Sequence, residues 1–94
     1  MGTFSMAKFE IGQFVSVSPS SPRGKARAGL VVGLQFDKFG KCRTVKIYIR
    51  SSNLTIGVSP RMVTPMDCPM AVRDGDLLVT PRGVKINLKT GYPV

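Results

Sequence analysis

The sequence predicts one small all-β domain, with five short strands followed by a C-terminal β-hairpin. Three observations lead there. Seven prolines and ten glycines in 94 residues interrupt the chain too often for long helices. The apolar runs between them are short and rich in Val, Ile, Phe and Thr, which suits strands. Where a period is visible it is two: Val45, Ile47 and Ile49 alternate with Thr44, Lys46, Tyr48 and Arg50.

The first predicted strand is Phe14–Val17, entered through Ile11-Gly12-Gln13. Residues Ser18 to Arg27 are Ser- and Pro-rich, then cationic, and read as a surface loop. The second strand covers Gly29 to Phe36. It ends in a turn at Asp37-Lys38-Phe39-Gly40, where glycine supplies a positive φ. The third strand, Arg43 to Arg50, carries the alternation above, and Ser51-Ser52-Asn53 turns it into a fourth strand, Leu54–Val58. Ser59-Pro60-Arg61 suits one helical turn, with Ser59 as cap and Pro60 in the first position. A fifth strand follows at Met62-Val63-Thr64.

Beyond Pro65, Asp67-Cys68-Pro69 reads as a connector. Leu77–Thr80 and Val84–Leu88 pair around Pro81-Arg82-Gly83. The organisation is therefore a leader over residues 1–7, a barrel over 8–66 and a connector with hairpin over 67–94. Phe9, Phe14 and Phe36 are expected in the core, with Phe9 at the barrel's open end. Asp74-Gly75-Asp76 is expected to be a turn.

Five short strands with a helical turn before the last resemble the plan of a Src-homology-3-like barrel. Phe9 to Met66 is similar to the chromatin-type, Tudor-type and KOW-type members. The segments carrying the likeness are Gly12-Gln13-Phe14-Val15-Ser16-Val17, Arg23-Gly24-Lys25 and Gly29-Leu30-Val31-Val32-Gly33-Leu34. Gly24 and Gly29 stand farther apart than in a KOW element, and the loop between the strands is longer and more basic. The resemblance implies a five-stranded barrel whose first long loop touches RNA. Such barrels host many functions. One group reduces dihydrofolate with a Val-Gln-Ile-Tyr motif near its last strand. The similar Val45-Lys46-Ile47-Tyr48 falls in the third strand here, so the match is read as coincidence.

Charge is the leading clue to function. Fourteen Lys and Arg face five Asp and Glu, and nine of the cations lie between Arg23 and Arg61 beside one acid, Asp37. A field of one sign attracts nucleic acid first, an acidic protein second, or serves solubility alone. The loop Arg23-Gly24-Lys25-Ala26-Arg27 alternates cations with small residues, so its backbone can approach a phosphate chain, unless it is merely a solvated loop. Lys46, Tyr48 and Arg50 on the polar side of the third strand form a second candidate surface, with Lys41 and Arg43 extending it. There Tyr48 would stack a base or, in the competing reading, pack between strands.

Catalysis is not expected. The chain has no histidine, no Gly-x-Ser-x-Gly element, no phosphate-binding glycine loop leading into a helix and no spaced Cys/His set for zinc. No cofactor is called for. Cys42 and Cys68 read as free thiols of a cytoplasmic protein. No apolar run approaches a membrane span. The second functional reading is an assembly or protein-interaction module, accessory, inhibitory or structural as in a phage. It would pair with another copy or chain through its sheet edge and the apolar Val84, Ile86 and Leu88 of the hairpin.

Overall fold

A computed structural model describes residues 9–19 and 23–94. The leader expected over residues 1–7 and positions 20–22 of the basic loop lie outside the described residues. The fold is all-β, built from two antiparallel sheets. The first sheet contains β1 (Phe14–Val17), β2 (Arg27–Phe36), β3 (Cys42–Ile49), β4 (Leu54–Val58) and β5 (Val63–Pro65) in the order β4-β3-β2-β1-β5. A single 3-10 turn, Pro60–Met62, joins β4 to β5. The second sheet is a meander of β6 (Val72–Asp74), β7 (Leu77–Val79), β8 (Lys85–Asn87) and β9 (Tyr92–Pro93), in chain order.

The predicted C-terminal hairpin is present as β7 and β8, flanked on each side by a short strand that sequence periodicity does not reveal. The first sheet is not a closed hydrogen-bonded barrel: β4 and β5 are its two edges. The chain turns through Ser59 and Pro60 between them, and β5 ends after three residues at Pro65, which has no N–H to donate.

Why the first sheet holds together follows from its two faces. On one face, Val15, Val31, Val45, Ile47 and Ile49 are fully buried, with Phe9, Val17 and Val63 beside them. Each such side chain contributes roughly 1.5–3 kcal/mol through removal from water. Phe9 closes this core as expected. On the other face, Leu30, Val32 and Tyr48 pack with Ala71, Leu78 and Ile86 of the second sheet and its lead-in, and Ile11, Phe14, Val84 and Leu88 pack around them. The central strands β2 and β3 are thus covered on both sides, which explains the uninterrupted run Leu30-Val31-Val32.

A β-bulge makes that run work. Val31 pairs with Ile47 and Gly33 with Lys46, so Val32 is an extra residue in β2. It lets Leu30 and Val32 feed one core while Val31 and Leu34 feed the other. Strict alternation would turn Leu34 to the wrong face.

The sheets are joined at Gly12. Its N–H donates to the Val31 carbonyl at 2.8 Å, and its own carbonyl accepts from the Ala71 N–H at 2.8 Å. Gly12 has φ +99, and a Cβ there would lie 2.7 Å from the Ala71 oxygen, so this junction requires glycine. At the far end the Thr55 hydroxyl donates to the Gly91 carbonyl, fastening the turn before β9 onto β4. Phe36 departs from expectation: it is 60% exposed, at the end of β2 where a second irregularity shifts the ladder.

Candidate functional site

The structure divides the candidate cations between two ends of the first sheet. Arg23, Lys25 and Arg27 are exposed at the β1–β2 end, and Arg50 is exposed where β3 ends. Lys41 and Arg43 are exposed at the opposite end, by the β2–β3 turn, and Lys46 stands between the two groups. Eight residues of β3 at about 3.3 Å each separate the ends by roughly 25 Å.

The β2–β3 turn absorbs the stretch's one acid. The Asp37 carboxylate accepts the N–H groups of Phe39 at 2.8 Å and Lys41 at 3.0 Å, an arrangement that Asp favours in turns. Phe39 is left 79% exposed, with the Lys38 ammonium 5.3 Å from its ring centre. Lys46 pairs between Gly33 and Gly57, and its methylene stem lies across Gly33. Its charge reaches solvent from a stem that covers bare backbone.

Tyr48 is where the sequence expectation of a stacking platform and the structure part. Its side chain does lie on the same face as Lys46 and Arg50, but the second sheet covers it, leaving it 7% exposed. Its hydroxyl donates to Asn53 Oδ1 at 2.6 Å, and its ring meets Tyr92 edge-on at 6.3 Å between centres. Asn53 adopts φ 51, a conformation Asn tolerates, so the tyrosine fixes the β3–β4 turn. The packing between strands that the sequence also allowed is what the structure shows for this residue.

Covering Tyr48 leaves an opening on either side of the second sheet. One, of about 460 Å³, has mixed walls including Gly33, Lys46, Thr55, Lys89 and Tyr92. The other, of about 450 Å³, is largely apolar. Phe14, Leu30, Tyr48, Val84 and Ile86 line it, along with Pro69 and Pro81, while Arg50 and Arg82 are its charged members. Among the described residues, no Asp or Glu lines it. Ala28 and Gly29, directly after the loop cation Arg27, form part of its wall, and exposed Cys68 forms another part.

Arg82 is the functional candidate that sequence reasoning passed over. Its signal was present, since Pro81-Arg82-Gly83 sets a cation at a hairpin tip. Only the docking of the two sheets puts that tip beside Arg50.

Among the described residues, no group of three or more His, Cys, Asp and Glu is placed to hold a metal. No helix among them is long and apolar enough to cross a membrane. Comparison with protein-family models, with curated proteins and with solved structures yields no match.

Proposed function

We propose that this chain is a non-catalytic nucleic-acid-binding domain whose first sheet is an open variant of the Src-homology-3-like plan. The strand order β4-β3-β2-β1-β5, with a 3-10 turn before the last strand, supports the architectural part. The functional part rests on one observation. Exposed cations of the β1–β2 loop lead into an apolar groove whose charged wall residues, among the described residues, are Arg50 and Arg82. Arginine holds a phosphate through paired donors, and each neutralised phosphate releases counterions. The groove end therefore favours a phosphate chain over neutral ligands. Backbone contacts of this kind carry no base code, so sequence preference is weak.

Lys41, Arg43 and Lys46 sit toward the other end and add to the long-range field rather than to the same contact. The reading as a self-assembling module loses its sequence support. Ile86 is buried within the chain, and Val84 and Leu88 pack around the same core, so the apolar set of the hairpin is already occupied.

The test is binding of generic single- and double-stranded DNA and RNA across a salt series. We expect affinity that falls steeply with salt. Replacing Arg23, Lys25 and Arg27 together by Ala lowers it and reduces the log–log slope by about 2–3. No binding at low salt would end the nucleic-acid reading and leave an acidic protein as the partner to seek. An unchanged slope in the triple variant would remove the loop from the interface.

A further inference from the structure

The groove beside Arg50 and Arg82 has a shape that phosphate binding does not need. A site for a bare polyanion would be a cationic surface. This one is a recess lined by Phe14, Leu30, Tyr48, Val84 and Ile86, with arginine at its walls and no carboxylate among the described residues. Its volume of about 450 Å³ falls within the range in which pockets bury a small planar ligand. The two guanidiniums come from different sheets: Arg50 follows β3, and Arg82 lies at the β7–β8 turn. An occupant would therefore bridge the two sheets.

We infer that this groove takes an unpaired nucleobase, with Arg50 and Arg82 holding phosphates of the same strand, so that the ligand is single-stranded. This rests on the nucleic-acid reading above and narrows it. A nucleotide in an open strand offers a flat apolar ring joined to phosphates, which matches an apolar floor flanked by arginines. In a duplex the ring faces are stacked on one another and the groove has nothing to receive. The aromatic residue Phe14 is half-buried and lines the groove. Base readout is not required, because every base has a π face.

Cys68 supplies the reporter. It is exposed and lines the groove, whereas Cys42 is half-buried elsewhere and packs on the first core. The experiment measures alkylation of each cysteine in the intact protein, resolved by peptide mass spectrometry. It is run alone, with saturating oligothymidylate, with oligouridylate and with a blunt DNA duplex. We expect at least one single strand to slow Cys68 alkylation by about fivefold or more and the duplex to leave it unchanged, with Cys42 as the internal control. Filling the recess by Ala28→Trp should lower single-strand affinity by about fivefold or more, the lower end of one base's stacking contribution, and spare duplex affinity. If that variant fails to fold, the exposed pair Arg50→Ala and Arg82→Ala decides instead, by erasing the preference for single strands.

Oligonucleotides that bind while Cys68 reacts as fast as in the free protein would overturn the groove assignment and leave the loop reading intact. Absence of binding by every oligonucleotide would overturn both. Protection of Cys68 by an acidic peptide but by no single strand would overturn the base assignment and make the groove a peptide site.

Discussion

Replacing Gly29 by Ala should destabilise the domain by about 2 kcal/mol, and the reason lies in one contact. Gly29 pairs with Val15 at the centre of the first sheet. A Cβ at this position would lie 2.2 Å from Ile47 Cγ2, 3.0 Å from Ile49 Cδ1 and 3.1 Å from the Tyr48 carbonyl oxygen. Both isoleucines are fully buried, and Ile47 is β-branched, so its Cγ2 cannot swing aside without a backbone shift. Adding a methyl to a filled core costs about 1–3 kcal/mol, and this overlap belongs at the upper end. Against it stands the loss of unfolded-state freedom, which stabilises by about 0.4–1 kcal/mol where Ala fits. The overlap wins. In urea, with a slope near 1 kcal/mol/M for a small domain, the midpoint should fall by about 2 M with the slope unchanged. The double variant Gly29→Ala, Ile47→Ala should be less destabilised than the sum of the singles, because the second change removes the clashing carbon. A midpoint shift below about 0.3 M for Gly29→Ala, or strict additivity in the double variant, would refute this account of the core.

Further outcomes follow from the same geometry. Tyr48→Phe removes the hydroxyl that holds Asn53 and should lower stability by about 1 kcal/mol, measured by urea denaturation. An unchanged midpoint would mean that the hydroxyl does not hold the β3–β4 turn. Leu78→Ala hollows the core between the sheets and should cost about 2–5 kcal/mol in one cooperative transition. Two separated transitions in calorimetry would mean the sheets unfold independently. In the free protein, Cys68 should react with a thiol reagent faster than Cys42, which is half-buried with its Sγ 3.8 Å from the Thr44 carbonyl oxygen.

Local chemistry made most strands readable in advance. Phe14–Val17 and Leu54–Val58 stand where their composition puts them. Ser59-Pro60 announces the 3-10 turn, and Pro81-Arg82-Gly83 announces the β7–β8 connection. The strands that escaped, β6 and β9, have only three and two residues, too few for a period to show. Tyr48 was ambiguous for a different reason. Alternation correctly placed it opposite Val45, Ile47 and Ile49, but a polar-looking face is buried wherever another sheet lies on it. The signal that could have warned of this was the run Leu30-Val31-Val32, which has no place on a sheet with one wet face. The candidate site was legible as charge and illegible as shape. Arg50 and Arg82 lie far apart in sequence, and only the packing of the second sheet makes them neighbours of one groove.

The extra residue at Val32 also makes strand length a property distinct from strand composition, lax at one place and strict at another. Deleting Val32 would remove the bulge and leave Leu30, Val31, Gly33 and Leu34 in step with Tyr48, Ile47, Lys46 and Val45, losing only the side chain that Val32 places between the sheets. Deleting a residue of β3, which pairs with β4 without a bulge, would instead put half of that strand out of step. An insertion or deletion in β3 is therefore not a milder event than a substitution. It exchanges inside for outside along several positions at once. Length changes should be tolerated in the β1–β2 loop, whose described residues are largely exposed, and at the β2 bulge, and rejected by β3. A library of single-residue deletions would display that contrast directly.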